Sequence, residues 1–192
     1  EEGELECTET DTEPNQAAYD LTRRYSRSEN HDTFVQEYEQ RAGITISELT
    51  VDGLNTAKAR MKLNFRKPVD SGGDFLYICP TIVPFIEKNP FTSQKRQLPV
   101  EFSYPYRYRI IVSLMLPEGY TVEELPKSQR LSACNEGIAC TMQLQQQGAL
   151  MQCLFEFDLS RIIFPATEYT DLSAFYGFVM DMCNSRIVLK KS

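Results

Sequence analysis

Apolar and polar residues alternate with period two over long stretches of the chain, and this pattern predicts strands. Between residues 106 and 116, Tyr106, Tyr108, Ile110, Val112, Leu114 and Leu116 share one side, with Arg107, Arg109 and Ser113 between them. Such alternation marks a strand with one buried and one wet face. In the same way Ala57, Ala59, Met61, Leu63 and Phe65 oppose Lys58, Arg60, Lys62, Asn64 and Arg66, a cationic stripe expected to face water. Met151, Cys153, Phe155, Phe157 and Leu159 form a third set. Shorter runs at 3–10, 44–51, 120–126, 130–137, 138–148 and 186–191 predict further strands. The apolar segment 75–85 contains Pro80 and Pro84, which bar it from being a central strand throughout.

The period changes to that of a helix in three places. Ala17, Ala18, Leu21 and Tyr25 recur at helical spacing after Pro14, which lies near a helix start. Phe34, Val35 and Tyr38 form one face of a second helix, with Asp32 expected as N-cap and Gly43 as terminator. After Pro165, the residues Tyr169, Leu172, Phe175, Tyr176, Val179, Met182 and Cys183 form an amphipathic stripe that Asn184 can end. Turn chemistry at Asp52-Gly53, 71–74 and 117–119 separates the strands. The polar, proline-bounded stretch 87–99 is the credible boundary, giving a mixed α/β part over 1–90 and an antiparallel, sandwich-like part with a C-terminal helix over 91–192. The expected fold class is α+β: mainly antiparallel sheet or sandwich, two N-terminal helices and one C-terminal amphipathic helix.

Charge narrows the function. A net charge of -7 argues against a nucleic-acid partner, and the only basic cluster, Lys190-Lys191, reads as a solvated chain end. No apolar run approaches the ~20 residues that span a bilayer. Glu1 is preceded by no initiator Met or signal-like segment, so the chain is expected to be part of a longer protein whose address lies upstream.

Six cysteines, at 7, 79, 134, 140, 153 and 183, include no C-x-x-C, and His31 is the sole histidine. Neither a zinc site nor any cofactor is expected from that spacing. Cys140 and Cys153 are symmetric about Gln146-Gln147, so a hairpin turning there would oppose them; one step of register removes the pairing, and free buried thiols are the expected state. A cysteine nucleophile needs a histidine base within reach, and His31 lies on the polar approach to a helix. Nucleotide-binding glycine motifs and G-x-S-x-G are absent. Glu123-Glu124 and the pair Glu156 and Asp158 could serve as acid and base, but the latter alternate with Phe155 and Phe157 and read as the wet face of a sheet. The best recognition candidates are Tyr104, Tyr106, Arg107 and Arg109, residue types that binding surfaces favour, although Tyr104, Tyr106 and Tyr108 equally fill a half-buried pleat.

Several motifs carry a resemblance. Gly73-Asp74 precedes an apolar strand; Asn89 to Phe91 reads Asn-Pro-Phe; Arg96 precedes Pro99, Val100 and Glu101. Pro117 to Tyr120 reads Pro-Glu-Gly-Tyr, Leu125-Pro126 follows, and Phe164-Pro165, Glu168-Tyr169 and Ile187 to Lys191 close the series. Over about residues 70–191 this resembles the C-terminal region of secreted bacterial transglutaminase-like proteins. These have a domain of unknown function, a papain-like transglutaminase core and a C-terminal domain of unknown function. Ser103 stands where members often have Gly, and the core's catalytic Cys, His and Asp have no counterpart here. The resemblance implies an extracytoplasmic location, periplasm or cell surface of a Gram-negative bacterium, and an upstream transglutaminase-like core as partner in the same polypeptide. It implies a non-catalytic accessory region that supports or positions that core or its substrate. Two alternatives remain open: an autonomous peptide- or glycan-binding module, marked by an exposed Tyr104-Tyr106-Arg107 patch, and a small hydrolase using Glu156 and Asp158.

Overall fold

Residues 4–81, 86 and 88–192 are described by the computed structural model; the expected strand start at Gly3 and the proline barrier at Pro84 lie outside the described residues. The chain opens with strand β1 (Glu4–Pro14), followed by helices α1 (Gln16–Arg27) and α2 (His31–Ala42). Strands β2 (Thr45–Asp52), β3 (Lys58–Pro68), β4 (Asp70–Gly72) and β5 (Phe75–Ile78) follow. Residues 88–99, which form no helix or strand, lead to β6 (Val100–Glu101), β7 (Tyr106–Met115), β8 (Tyr120–Glu124) and β9 (Gln129–Ala133). A long hairpin, β10 (Ile138–Gln147) and β11 (Leu150–Leu159), precedes β12 (Ile163–Phe164), a short 3-10 turn at Ala166–Glu168, helix α3 (Tyr169–Cys183) and β13 (Ile187–Lys191).

Seven strands form one antiparallel sheet in the order β2-β3-β1-β7-β11-β10-β9, and four form a second, β4-β5-β13-β8. This is the expected sheet-rich α+β class. Hydrogen-bonded strands cross the residue 90/91 boundary in both sheets, since β1 pairs with β7 and β5 pairs with β13.

The large sheet has one apolar face. On β3, Ala59, Met61, Leu63 and Phe65 are buried while Lys58, Arg60, Lys62 and Arg66 are exposed, as the alternation requires. Helix α3 covers the β9–β11 end, and all seven residues of its stripe are buried. Phe157 of β11 lies 6.0 Å, ring centre to ring centre, from both Phe175 and Tyr176. Burying one such aromatic contributes about 1.5–3 kcal/mol. The Asn-Pro-Phe motif pins the irregular stretch to α3: Asn89 Nδ2 donates to the Ser173 carbonyl at 2.9 Å, and Ser173 Oγ donates to the Phe91 carbonyl at 2.8 Å. The Phe91 ring then packs edge-on against Tyr169 and Tyr176. Helices α1 and α2 cover the other end through Ala18, Leu21, Phe34 and Tyr38.

Three local expectations are corrected. Strand β1 runs past the expected end at Thr10 through Asp11 and Glu13 to Pro14, and α1 begins two residues later at Gln16. The cap of α2 is Asn30, whose Oδ1 accepts from the Thr33 N–H at 2.9 Å; Asp32 lies inside the first turn, where its charge complements the helix dipole. The β10–β11 hairpin turns at Gly148-Ala149, with Gly148 at φ +61° in the first central position. Cys140 therefore faces Phe157, Cys153 faces Leu144, and both thiols are free and buried. Finally, the recognition candidates do not form one patch, because Arg107 and Arg109 point to the opposite face of the sheet from Tyr106 and Tyr108.

Candidate binding cleft

The inward positions of β1 change character along the strand. Leu5 and Cys7 are ordinary core residues, but the next three inward positions carry carboxyl groups: Glu9 is 4% exposed, Asp11 2% and Glu13 2%. Removing a carboxylate from water costs several kcal/mol unless a partner compensates it. Glu13 has one, since Arg24 of α1 reaches its Oε1 at 2.9 Å. Asp11 accepts at Oδ2 from the Tyr108 hydroxyl at 2.8 Å, while its Oδ1 is buried with no hydrogen bond among the described residues. The Glu9 carboxyl has neither a side-chain hydrogen bond nor a contact ion pair among the described residues, and only the charge of Lys67 acts on it. Its register neighbours are Leu63 on β3 and Val112 on β7, which offer no polar atom in their side chains.

Electrostatics follow from this geometry. Burial pushes the Glu9 carboxyl up to about 7, with the positive charge of Lys67 opposing the rise. Burial and the neighbouring Glu13 charge raise Asp11, and its contact with the Tyr108 hydroxyl works the other way. Burial raises Glu13 as well, against the Arg24 guanidinium. The Tyr104 hydroxyl is pushed up to about 12, first by donating to Asp20 Oδ2 of α1 at 2.5 Å.

These groups line a cleft of about 380 Å³ at the α1–α2 end of the sheet. Strand β1 supplies Glu9 and Glu13 to its floor; α1 supplies Asp20 and Arg24; α2 supplies Tyr38 and Arg41. Tyr104, Tyr106 and Tyr108 complete the wall from the loop before β7 and from β7 itself. The Tyr106 ring is fixed by stacking on Phe157 at 5.7 Å, and Arg41 lies 5.0 Å over the Tyr38 ring. A cleft of this size, with rigid aromatic walls and a few convergent polar groups, has the character of a small-ligand site.

Of the residues singled out by sequence, Tyr104 and Tyr106 belong to this cleft. Arg107 pairs with Asp158, through Nε at 2.9 Å and through Nη2, and Arg109 lies 4.0 Å from Glu156. All four charged groups sit on the solvated face in cross-strand register. The buried carboxyls Glu9, Asp11 and Glu13 were missed. Their signal was present as alternate acidic positions, 9, 11 and 13, continuing the phase of Leu5 and Cys7.

The thiols and the histidine do not meet. The His31 Nδ1 is 3.0 Å from the Tyr25 hydroxyl on the exposed approach to α2. Burial pushes Cys7 and Cys153 up to about 12 and Cys134 to about 11, and raises Cys140 further. Cys79 is partly exposed, and its Sγ lies 2.5 Å from Arg186 Nη1. Among the described residues no three His, Cys, Asp or Glu side chains are grouped to hold a metal ion, and no helix is long and apolar enough to cross a membrane.

Fold and cleft together define a sheet-rich α+β module with helical cover on one face and a tyrosine-walled acidic cleft beneath it. The chain belongs to the family described as a domain of unknown function with solved structure (DUF3858), whose model matches residues 74–189. No curated protein and no solved structure matches it. The matched span begins just before β5, so the cleft draws Tyr104, Tyr106 and Tyr108 from inside it and Glu9, Asp20 and Tyr38 from outside it.

Proposed function

We propose that this chain is a non-catalytic accessory module of an exported, extracytoplasmic transglutaminase-like protein. It supports the catalytic part by holding that part's substrate in the cleft between β1, the α1–α2 pair and the segment around Tyr104 to Tyr108. The observation that carries the binding role is the cleft itself, which keeps an uncompensated carboxyl, Glu9, at its floor at a cost to stability. A site that retains such a cost is expected to recover it in function. The non-catalytic part of the reading is supported by the raised thiols and by the engagement of His31 with Tyr25, which separate nucleophile from base. The transglutaminase context rests on the sequence resemblance at residues 70–191.

A second reading, an autonomous peptide- or glycan-binding module, is favoured by the same tyrosine walls and differs only in whether a catalytic partner exists. The hydrolase reading has less support, because Glu156 and Asp158 face solvent beside Arg109 and Arg107 rather than a concave pocket. The test has two arms. The purified chain incubated with glutamine peptides is expected to release no ammonia; release abolished by His31→Ala would overturn the non-catalytic reading. The gene upstream is expected to encode a Cys-His-Asp core, with the Cys at a helix start; an open reading frame that begins at Glu1 would leave the free-standing binding module.

A further inference from the structure

This inference rests on the reading of the cleft as a binding site and specifies what it binds. The polar groups around Glu9 are already committed. Arg24 is held by Glu13, the Tyr108 hydroxyl donates to Asp11, and the Tyr104 hydroxyl donates to Asp20. Glu9 lines the floor with a carboxyl that makes no hydrogen bond or contact ion pair among the described residues, and only the charge of Lys67 acts on it. An ionised carboxylate can only accept, so its complement must bring donors, and a buried one is best matched by a donor that also carries positive charge. Tyrosine rings form the wall above it, and the faces of such rings attract cations. A hard metal ion is a poor fit, since it wants several oxygen ligands at once and no such grouping exists among the described residues. We propose that the cleft binds an organic ligand through a primary ammonium group, seated on the Glu9 carboxylate and walled by the tyrosine rings.

Protonation of Glu9 then competes with the ligand. The titratable and charged groups around Glu9 are Cys7, Asp11 and Glu13 on β1, Lys67 on β3, Tyr108 on β7, Asp20 and Arg24 on α1, and Tyr38 and Arg41 on α2. Lys67 favours the charged form of Glu9 without filling its acceptors, and burial opposes that form more strongly. With the empty-cleft carboxyl at about 7, an ammonium must expel a proton at lower pH, so affinity falls by about tenfold per pH unit below 7.

The experiment uses n-butylammonium, with n-butanol as its uncharged match, titrated into the 192-residue chain. Tyrosine fluorescence reports binding, because the chain has no tryptophan and the cleft is walled by tyrosines. Calorimetry in buffers of different ionisation enthalpy reports the proton. The expected result is saturable binding of the amine but not of the alcohol, proton release near pH 6, and about tenfold weaker binding at pH 6 than at pH 8. Glu9→Gln is expected to weaken binding at pH 8 at least tenfold and to flatten its pH dependence, with circular dichroism confirming an intact fold. Equal binding of amine and alcohol, absence of amine binding, or unchanged affinity in Glu9→Gln would each overturn the proposal. Should peptides or glycans bind without an amine requirement and lose affinity in Tyr106→Ala, the ammonium inference falls while the binding-module reading stands. Failure of every ligand class would remove both.

Discussion

An unpartnered buried carboxyl makes a prediction about stability that needs no ligand. Glu9 moves from an ordinary value of 4.5 to about 7 on folding, chiefly because it leaves water. Below pH 4.5 the group is protonated in both the folded and the unfolded chain and contributes no difference. Between 4.5 and 7 the unfolded chain gives up the proton while the folded chain keeps it, so stability falls as pH rises and levels off above 7. At about 1.36 kcal/mol per pH unit, the penalty accumulated by pH 8 is about 3 kcal/mol. Against a total of about 5–15 kcal/mol for a domain, this is readily measured. Glu9→Gln keeps the shape and removes the charge. The variant should therefore match the parent near pH 4.5 and exceed its unfolding free energy by about 3 kcal/mol at pH 8. Urea unfolding followed by circular dichroism at pH 4.5, 6 and 8 gives the difference directly. Asp11 and Glu13 titrate in both proteins and largely cancel in the comparison. A difference that stays flat to within about 0.5 kcal/mol from pH 4.5 to 8 would refute the buried, uncompensated state of Glu9.

Three further outcomes are expected. Phe175→Ala should cost about 3–5 kcal/mol, because the ring is 3% exposed and packs on Phe157; a melting temperature within a degree or two of the parent would show that α3 does not seal the sheet. Arg107→Ala should change stability by less than about 1 kcal/mol although two of its N–H groups donate to Asp158 Oδ2, since the pair lies on the solvated face; a loss above 2 kcal/mol in denaturant titration would contradict that placement. A thiol reagent applied to the native chain should modify Cys79 first, because the other five cysteines are buried; two or more equally fast thiols would contradict the packing around β10 and β11.

The elements with a single consistent period were legible in the sequence. Helix α3, β3 and β7 have apolar residues wherever the element faces inward, so pattern and burial agree there. Strand β1 broke the rule, because its inward phase passes from Leu5 and Cys7 to three carboxyls that read as wet. Tertiary context overrode the pattern: β3 and β7 flank β1 on both sides and α1 lies against it, which takes those side chains out of bulk solvent. The carboxyls of the cleft floor were lost with that strand, although Tyr104 and Tyr106 on the opposite wall had been singled out. Gly148, which ends the run 138–148, supplies the positive φ that a two-residue turn needs, and the turn there leaves Cys140 and Cys153 unpaired.

Strand β1 also has a meaning for the boundary of the family-matched span. Relative to residues 74–189 it is a donated strand, arriving from outside to close the flank of β7. A protein cut at that boundary would retain β7, β11, β10 and β9 in register while leaving the backbone of β7 from Arg109 to Leu114 without its β1 partner. Such a bare edge recruits any extended segment, whether from a second copy or from an unrelated stretch of chain. Which strand fills the slot then decides what stands on the cleft floor. An occupant with apolar residues in place of Glu9, Asp11 and Glu13 would build a sealed core there. The same scaffold could thus be switched between a closed and a ligand-accepting form by exchanging one strand.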